Sequence, residues 1–150
     1  MGTGSSGLYT TPKPLVEAEH LMEMEAKKVK FNLEEVVMTA KDTNENLVWL
    51  EKGNENKGLE HILNGSKTSP GHKEDFQNAF GVSESNIPRF MKNVISNGNI
   101  VSEQKVSLPK GGQGIERIYY VDGKHYLLTG VGTNGFIVTS YPVEIKIRRN

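Results

Sequence analysis

Ile115-Glu116-Arg117-Ile118-Tyr119-Tyr120-Val121-Asp122-Gly123-Lys124-His125-Tyr126-Leu127-Leu128-Thr129 is the stretch that decides the fold. Two runs rich in β-branched, aromatic and aliphatic residues flank an Asp-Gly pair. That dipeptide suits the backbone of a tight hairpin turn, so residues 115–121 and 125–129 read as paired strands. Working outward, residues 100–108 and 136–141 have the same strand composition. They join the hairpin through the Gly-rich connectors 109–114 and 130–135. Four strands linked in succession by short connectors make an antiparallel sheet. Further upstream, residues 36–40 and 47–50 flank the polar run 41–46 and read as a second hairpin.

The remaining apolar residues have helical spacing. Leu15, Ala18, Leu21, Met22 and Ala26 predict a helix over residues 14–30, with Pro14 in its first turn. A short helix starts near Lys57 and carries Leu59, Ile62 and Leu63. Residues 73–80 and 86–96 are two more. Ser85 or Asn86 can cap the last one, Pro88 fits its first turn, and Asn97-Gly98 ends it. Helices followed by an antiparallel sheet define an α+β domain, with N-terminal helices packed on the sheet.

At 150 residues the chain is long enough for one domain with a substantial core. We expect a flexible leader, residues 1–13, and a single domain over 14–150 with its core at about 30–143. The mean hydropathy is −0.50, and no apolar run reaches membrane-spanning length. No secretory signal pattern is present. There is no cysteine, which excludes disulfides and thiolate zinc sites. The four histidines are not at metal-ligand spacing, so no cofactor is expected. Net charge is zero but uneven: residues 1–60 carry 7 Lys and 11 acidic residues, and residues 61–150 carry 11 basic and 7 acidic. A basic C-terminal part suits a polyanionic partner, and equally suits ordinary charge scatter.

Several residues carry possible chemistry. His61, in Gly58-Leu59-Glu60-His61-Ile62-Leu63, and His72, in Ser69-Pro70-Gly71-His72-Lys73, can act as base and acid near neutral pH. His61 lies between apolar neighbours and reads equally as structural. His72 lies in a loop, where a mobile acid or base is better placed. Thr139 and Tyr141 share a strand face just before Pro142. Their hydroxyls can donate to phosphate, and the ring can stack a base. Arg117 and Tyr119 share a face of the neighbouring strand and offer a cation and a second ring. A solvated cross-strand charge is the plain alternative for Arg117. Lys105 and Lys110 are candidate substrate-binding cations. His20 and His125 read as surface residues, the latter on an exposed edge. The run Gly111-Gly112-Gln113-Gly114 lacks the strand–loop–helix setting of a nucleotide loop and reads as a hairpin tip.

Leu47-Val48-Trp49-Leu50-Glu51-Lys52-Gly53-Asn54, the His61 segment and Asn134-Gly135-Phe136-Ile137-Val138-Thr139-Ser140-Tyr141-Pro142 together resemble the C-terminal toxin domains of bacterial polymorphic toxins. These belong to the Barnase–EndoU–colicin–RelE-like ribonuclease superfamily. The resemblance spans about residues 30–143 and implies the α+β fold just described. It also implies metal-independent RNA cleavage that leaves a 2′,3′-cyclic phosphate. The EndoU-like branch uses two histidines, a lysine and a Thr/Ser-x-Tyr. His61, His72, Thr139 and Tyr141 match that order. The lysine falls on Lys105, Lys110 or Lys124, with Arg117 the basic residue favoured by strand position. The stretch between the histidines departs from the closely spaced Gly-His-His of bacterial relatives.

The resemblance further implies RNA, with tRNA foremost, as substrate and a cognate immunity protein as partner. The domain would be a monomer delivered by the producing bacterium into a target-cell cytoplasm. A competing expectation is a non-catalytic α+β module that holds a protein or an RNA on a basic sheet face. The two are told apart by whether His61, His72 and Tyr141 converge.

Overall fold

The computed structural model describes residues 13–107 and 112–145. Along the chain run α1 (Ala18–Ala26), β1 (Val36–Lys41), β2 (Leu47–Glu51), α2 (Leu59–Asn64), α3 (Lys73–Phe80), a 3-10 turn (Glu84–Asn86), α4 (Ile87–Asn97), β3 (Ile100–Ser107), β4 (Gln113–Asp122), β5 (His125–Gly132) and β6 (Ile137–Glu144). The protein is α+β, as the pattern predicts. The expected leader falls almost wholly outside the described residues, as do Leu108, Lys110 and Gly111. Among the described residues, no helix is long and apolar enough to cross a membrane.

The main sheet has four antiparallel strands in the order β3-β4-β5-β6, and β1 and β2 form a separate hairpin. The hairpin joins the main sheet through a parallel bridge from Trp49 to Phe136. One face of the main sheet presents Tyr119, Leu127, Val131 and Ile137 to the core. Met38, Ala40, Val48 and Leu50 of the hairpin cover it, with Ile62, Phe76, Ile87, Met91 and Ile95 from the helices. In α4 the buried residues Ile87, Met91 and Ile95 recur every fourth position, the stripe of an amphipathic helix. Pro88 fits its first turn, and Asn86 takes the cap position without a side-chain hydrogen bond.

The first helix is shorter than its spacing predicts. Before it, the chain pairs with β1 instead of coiling: Thr39 N–H donates to the Leu15 carbonyl at 3.0 Å, and Glu17 N–H donates to Thr39 Oγ1 at 3.0 Å. Glu17 is accordingly extended, with φ −97° and ψ 129°. At the other end Lys28 takes a left-handed φ of 60°, which terminates the helix.

Two histidines differ from expectation. His20 is not a surface residue: it is 8% exposed, and its Nδ1 meets Thr39 Oγ1 at 2.9 Å. It faces β1 because α1 packs there. His125 is not on a free edge, because β5 runs between β4 and β6. Its ring meets Phe80 edge-on at 5.9 Å.

Asp42, at the end of β1, is fully buried among donors. Its Oδ1 accepts the backbone N–H groups of Asn44 and Asn46, both at 2.9 Å. Its Oδ2 accepts the Asn46 amide at 2.9 Å and the Tyr119 hydroxyl at 3.2 Å. Arg117 Nε lies 3.9 Å away. Removing the carboxylate leaves several buried donors unmatched while Arg117 keeps Glu103, and an unmatched buried donor typically costs about 1–3 kcal/mol. Asp42→Ala should therefore lower unfolding stability by at least about that amount, read from urea titration. A loss under ~1 kcal/mol would mean the network carries little of the fold.

The docking of α1 should depend on pH. Burial holds the His20 imidazole below its ordinary value of 6.5, and Lys92 adds to this while Glu17 opposes it. The unfolded chain takes up a proton on this group at a higher pH than the folded chain does. Stability is thus present above about pH 6.5 and falls as pH drops below it. Melting curves between pH 7.5 and 5 should show this fall, and His20→Gln should flatten it. An equal fall in the variant assigns the effect to other groups.

Candidate functional site

The site is built from the segment that crosses from α2 to α3 along β6. Gly58 N–H donates to the Val138 carbonyl at 2.9 Å, which pins the start of α2 to β6. After α2 the chain doubles back through residues 65–71. His72 N–H then donates to the Ile62 carbonyl at 2.7 Å. Gly71 makes this crossing possible, since a Cβ there would lie 2.2 Å from the Leu63 carbonyl oxygen. The backbone thus delivers His72 to the outer margin of β6, at the first turn of α3.

There the His72 imidazole stacks on the Tyr141 ring, with centroids 4.6 Å apart and planes 21° apart. Its Nδ1 lies 2.8 Å from Asp75 Oδ2. The carboxylate can only accept, so Nδ1 carries the hydrogen and Nε2 is left for other chemistry. Burial, reinforced by the charge of Glu116, raises the Tyr141 phenol above its ordinary value of 10.0. Tyr141 therefore stays protonated at neutral pH and can donate a hydrogen bond. Asp75 was not evident among the candidates. The signal for it is the His-x-x-Asp spacing, which puts the two side chains side by side across a helix's first turn.

The other candidates are distributed around the fold. Thr139 lies two residues from Tyr141 on the same strand face, half-buried. His61 is turned elsewhere. Its Nδ1 donates to the Glu55 carbonyl at 2.8 Å, and it lines a depression of about 330 Å³ with Glu55, Asn56 and residues 66–69. Neither His72, Thr139 nor Tyr141 lines that depression.

Arg117 and Tyr119 point the other way. Arg117 pairs with Thr129 in register, and Thr129 pairs with Ser140. Directly opposed residues share a sheet face, so Arg117 lies on the face of Ser140, opposite Thr139 and Tyr141. It is not a solvated charge either, being 5% exposed and bonded to Glu103 at 2.5 Å. Tyr119 is fully buried against Asp42, so the expectation that it contacts substrate is corrected: no surface ligand can reach its ring. Lys105 is exposed on β3, on the Arg117 face. Lys110 lies outside the described residues.

The expected basic sheet face is also revised. Among the described residues, the strand positions that share a face with Tyr141 include no lysine or arginine. No family model matches this chain, and no curated protein matches it.

The His72–Tyr141 stack can be checked without any activity. The Tyr141 ring current should move the His72 Hε1 proton resonance upfield, and Tyr141→Leu should return it to the position of a free imidazole. An unchanged resonance would show that the rings are apart in solution.

Proposed function

We propose that this chain is a metal-independent endoribonuclease, the toxin domain of a polymorphic bacterial toxin, with its reactive centre at His72, Tyr141 and Thr139. The observation that carries this reading is the His72 imidazole, whose Nδ1 meets the Asp75 carboxylate while its ring stacks on Tyr141. In this mechanism Nε2 takes the proton of a ribose 2′-hydroxyl. The 2′-oxygen attacks phosphorus as the bond to the 5′-oxygen breaks. Tyr141, kept protonated, donates to a non-bridging oxygen where negative charge develops. Thr139 adds a second hydroxyl on the same face. The leaving 5′-oxygen takes its proton from a second acid, for which the resemblance offers His61. The product ends in a 2′,3′-cyclic phosphate.

On this reading the substrate is cytosolic RNA, tRNA foremost. The domain acts in the cytoplasm of a target cell and is blocked by a cognate immunity protein. One observation favours the alternative of a non-catalytic binding module: His61 opens into a separate depression from the His72–Tyr141 pair.

Purified protein incubated with total RNA in excess chelator should cleave it and leave cyclic phosphate ends. His72→Ala should slow cleavage by at least about 100-fold, the usual worth of a general acid–base group. Asp75→Asn should retain the fold but change the pH profile of cleavage, because the amide no longer favours the same tautomer. His61→Ala separates the readings of that residue, with a comparable loss expected if it is the acid. Cleavage that stops in chelator and returns with a divalent metal rejects the mechanism, and absence of cleavage by the parent protein leaves the binding module.

A further inference from the structure

β3 stands at one end of the sheet order, and its outer edge meets no other strand. From Ser102 to Ser107 its ladder to β4 is unbroken, the one irregularity falling between Ile100 and Ser102. Among the described residues, no backbone hydrogen bond from outside β4 reaches this stretch. Alternate residues therefore turn their N–H and C=O groups outward with no partner among the described residues. Proteins usually blunt such an edge with proline, a bulge, a covering segment or charge. Residues 102–107 contain no proline and no bulge. Ser102, Glu103, Gln104 and Lys105 are all exposed, and Val101 is 49% exposed. What remains is charge: Glu103 and Lys105, opposite in sign and two residues apart.

We infer that this edge pairs with the same edge of a second copy of the chain, antiparallel and in the register centred on Gln104. A twofold axis between two identical strands sets one residue opposite itself. Ser102, Glu103, Gln104 and Lys105 are the exposed centres available, and the charges choose among them. Centring on Glu103 opposes two carboxylates, and centring on Lys105 opposes two ammonium groups. Like charges directly opposite each other are destabilising. Centring on Ser102 sets Glu103 against Val101 and leaves both charges unmatched. Centring on Gln104 sets Glu103 against the second copy's Lys105, and Lys105 against its Glu103. Ser102 then faces Val106, and the exposed Val101 faces Ser107. The same two charges that forbid the neighbouring registers thus select this one.

The pairing extends rows already present in the sheet. Glu103 lies opposite Arg117 in register and accepts its Nε–H at 2.5 Å. The second copy's Lys105 stands on the other side of that carboxylate. Lys105 is exposed and has no ion pair among the described residues, so no existing bond is broken to supply it. On the opposite face Gln104 donates to Glu116 at 3.1 Å, which steadies its amide beside the axis. Two four-stranded sheets become one of eight strands. Strand pairing alone buries less than the roughly 1,200 Å² of a tight interface, so association belongs to the micromolar range. This dimer is independent of the nuclease proposal and replaces the expected monomer.

The chain has no cysteine, so a single introduced thiol reports the register. Residues on the axis have Cα atoms about 4.5–5.5 Å apart, within reach of a disulfide. Mild oxidation of Gln104→Cys should therefore give a covalent dimer. Ser102→Cys, exposed on the same face, is the control. Its two copies stand four residues apart along the strands, about 14 Å, and should not bridge. Sedimentation equilibrium of the parent protein, from low to high micromolar concentration, should show the mass rise from 16.6 kDa toward twice that value. Lys105→Glu opposes a carboxylate to Glu103 at two places and should weaken association at least about tenfold. A parent that stays at 16.6 kDa throughout, equal bridging of the two cysteine variants, or a Lys105→Glu variant that associates as the parent does each overturns the edge dimer.

Discussion

The Asp42 carboxylate is the point on which the arrangement turns. It closes the β1–β2 loop by accepting from Asn44 and Asn46, and it binds the Tyr119 hydroxyl in the centre of the main sheet. A buried carboxylate is tolerable only when its oxygens are matched by donors, and here both are. The consequence is directional. The hairpin cannot slide or rotate over the sheet without leaving a charge in the core. The Trp49–Phe136 bridge and the cover over Leu127 and Val131 follow from that fixed placement.

The helical segment inherits this rigidity at second hand. Gly58 is held by Val138, and His72 is held by Ile62, so α2 and the start of α3 move with β6. The His72–Tyr141 stack therefore joins a helix start to a strand that are already tied by backbone bonds. That is a favourable way to hold two rings near each other, because little backbone freedom remains to be lost when they stack. Arg117 illustrates the opposite use of charge. It serves the interior, between Glu103 and Asp42, and gives the inner face of the sheet a satisfied ion pair.

Much of this architecture is legible in the residues. The helix over 73–80 follows from its apolar spacing, α4 from Pro88 and Gly98, and the β4–β5 hairpin from Asp122-Gly123. The assignment of faces between strands is not legible, and the reason is specific. Asp122 pairs with His125, which by simple counting would pair Arg117 with Gly130. An irregularity between Tyr120 and Asp122 shifts the register by one, and Arg117 pairs with Thr129. A one-residue slip changes which side chains share a side with the next strand. Within one strand, the shared face of Thr139 and Tyr141 needs no such knowledge. The burial of His20 was hidden for a related reason: the residues before α1 pair with β1, which no periodicity within α1 records.

The tie between Gly58 and Val138 has a consequence for synthesis. It links residues 80 positions apart in the chain, and Asp42 reaches Tyr119 over 77 positions. Contacts of such long sequence separation form late, because loop closure must come before any of them is gained. During translation, α2 and the hairpin emerge well before the strands that hold them. Until β6 has left the ribosome, His72 has no Tyr141 to stack on. Whatever chemistry this pair performs therefore arises only once β6 has closed onto the sheet.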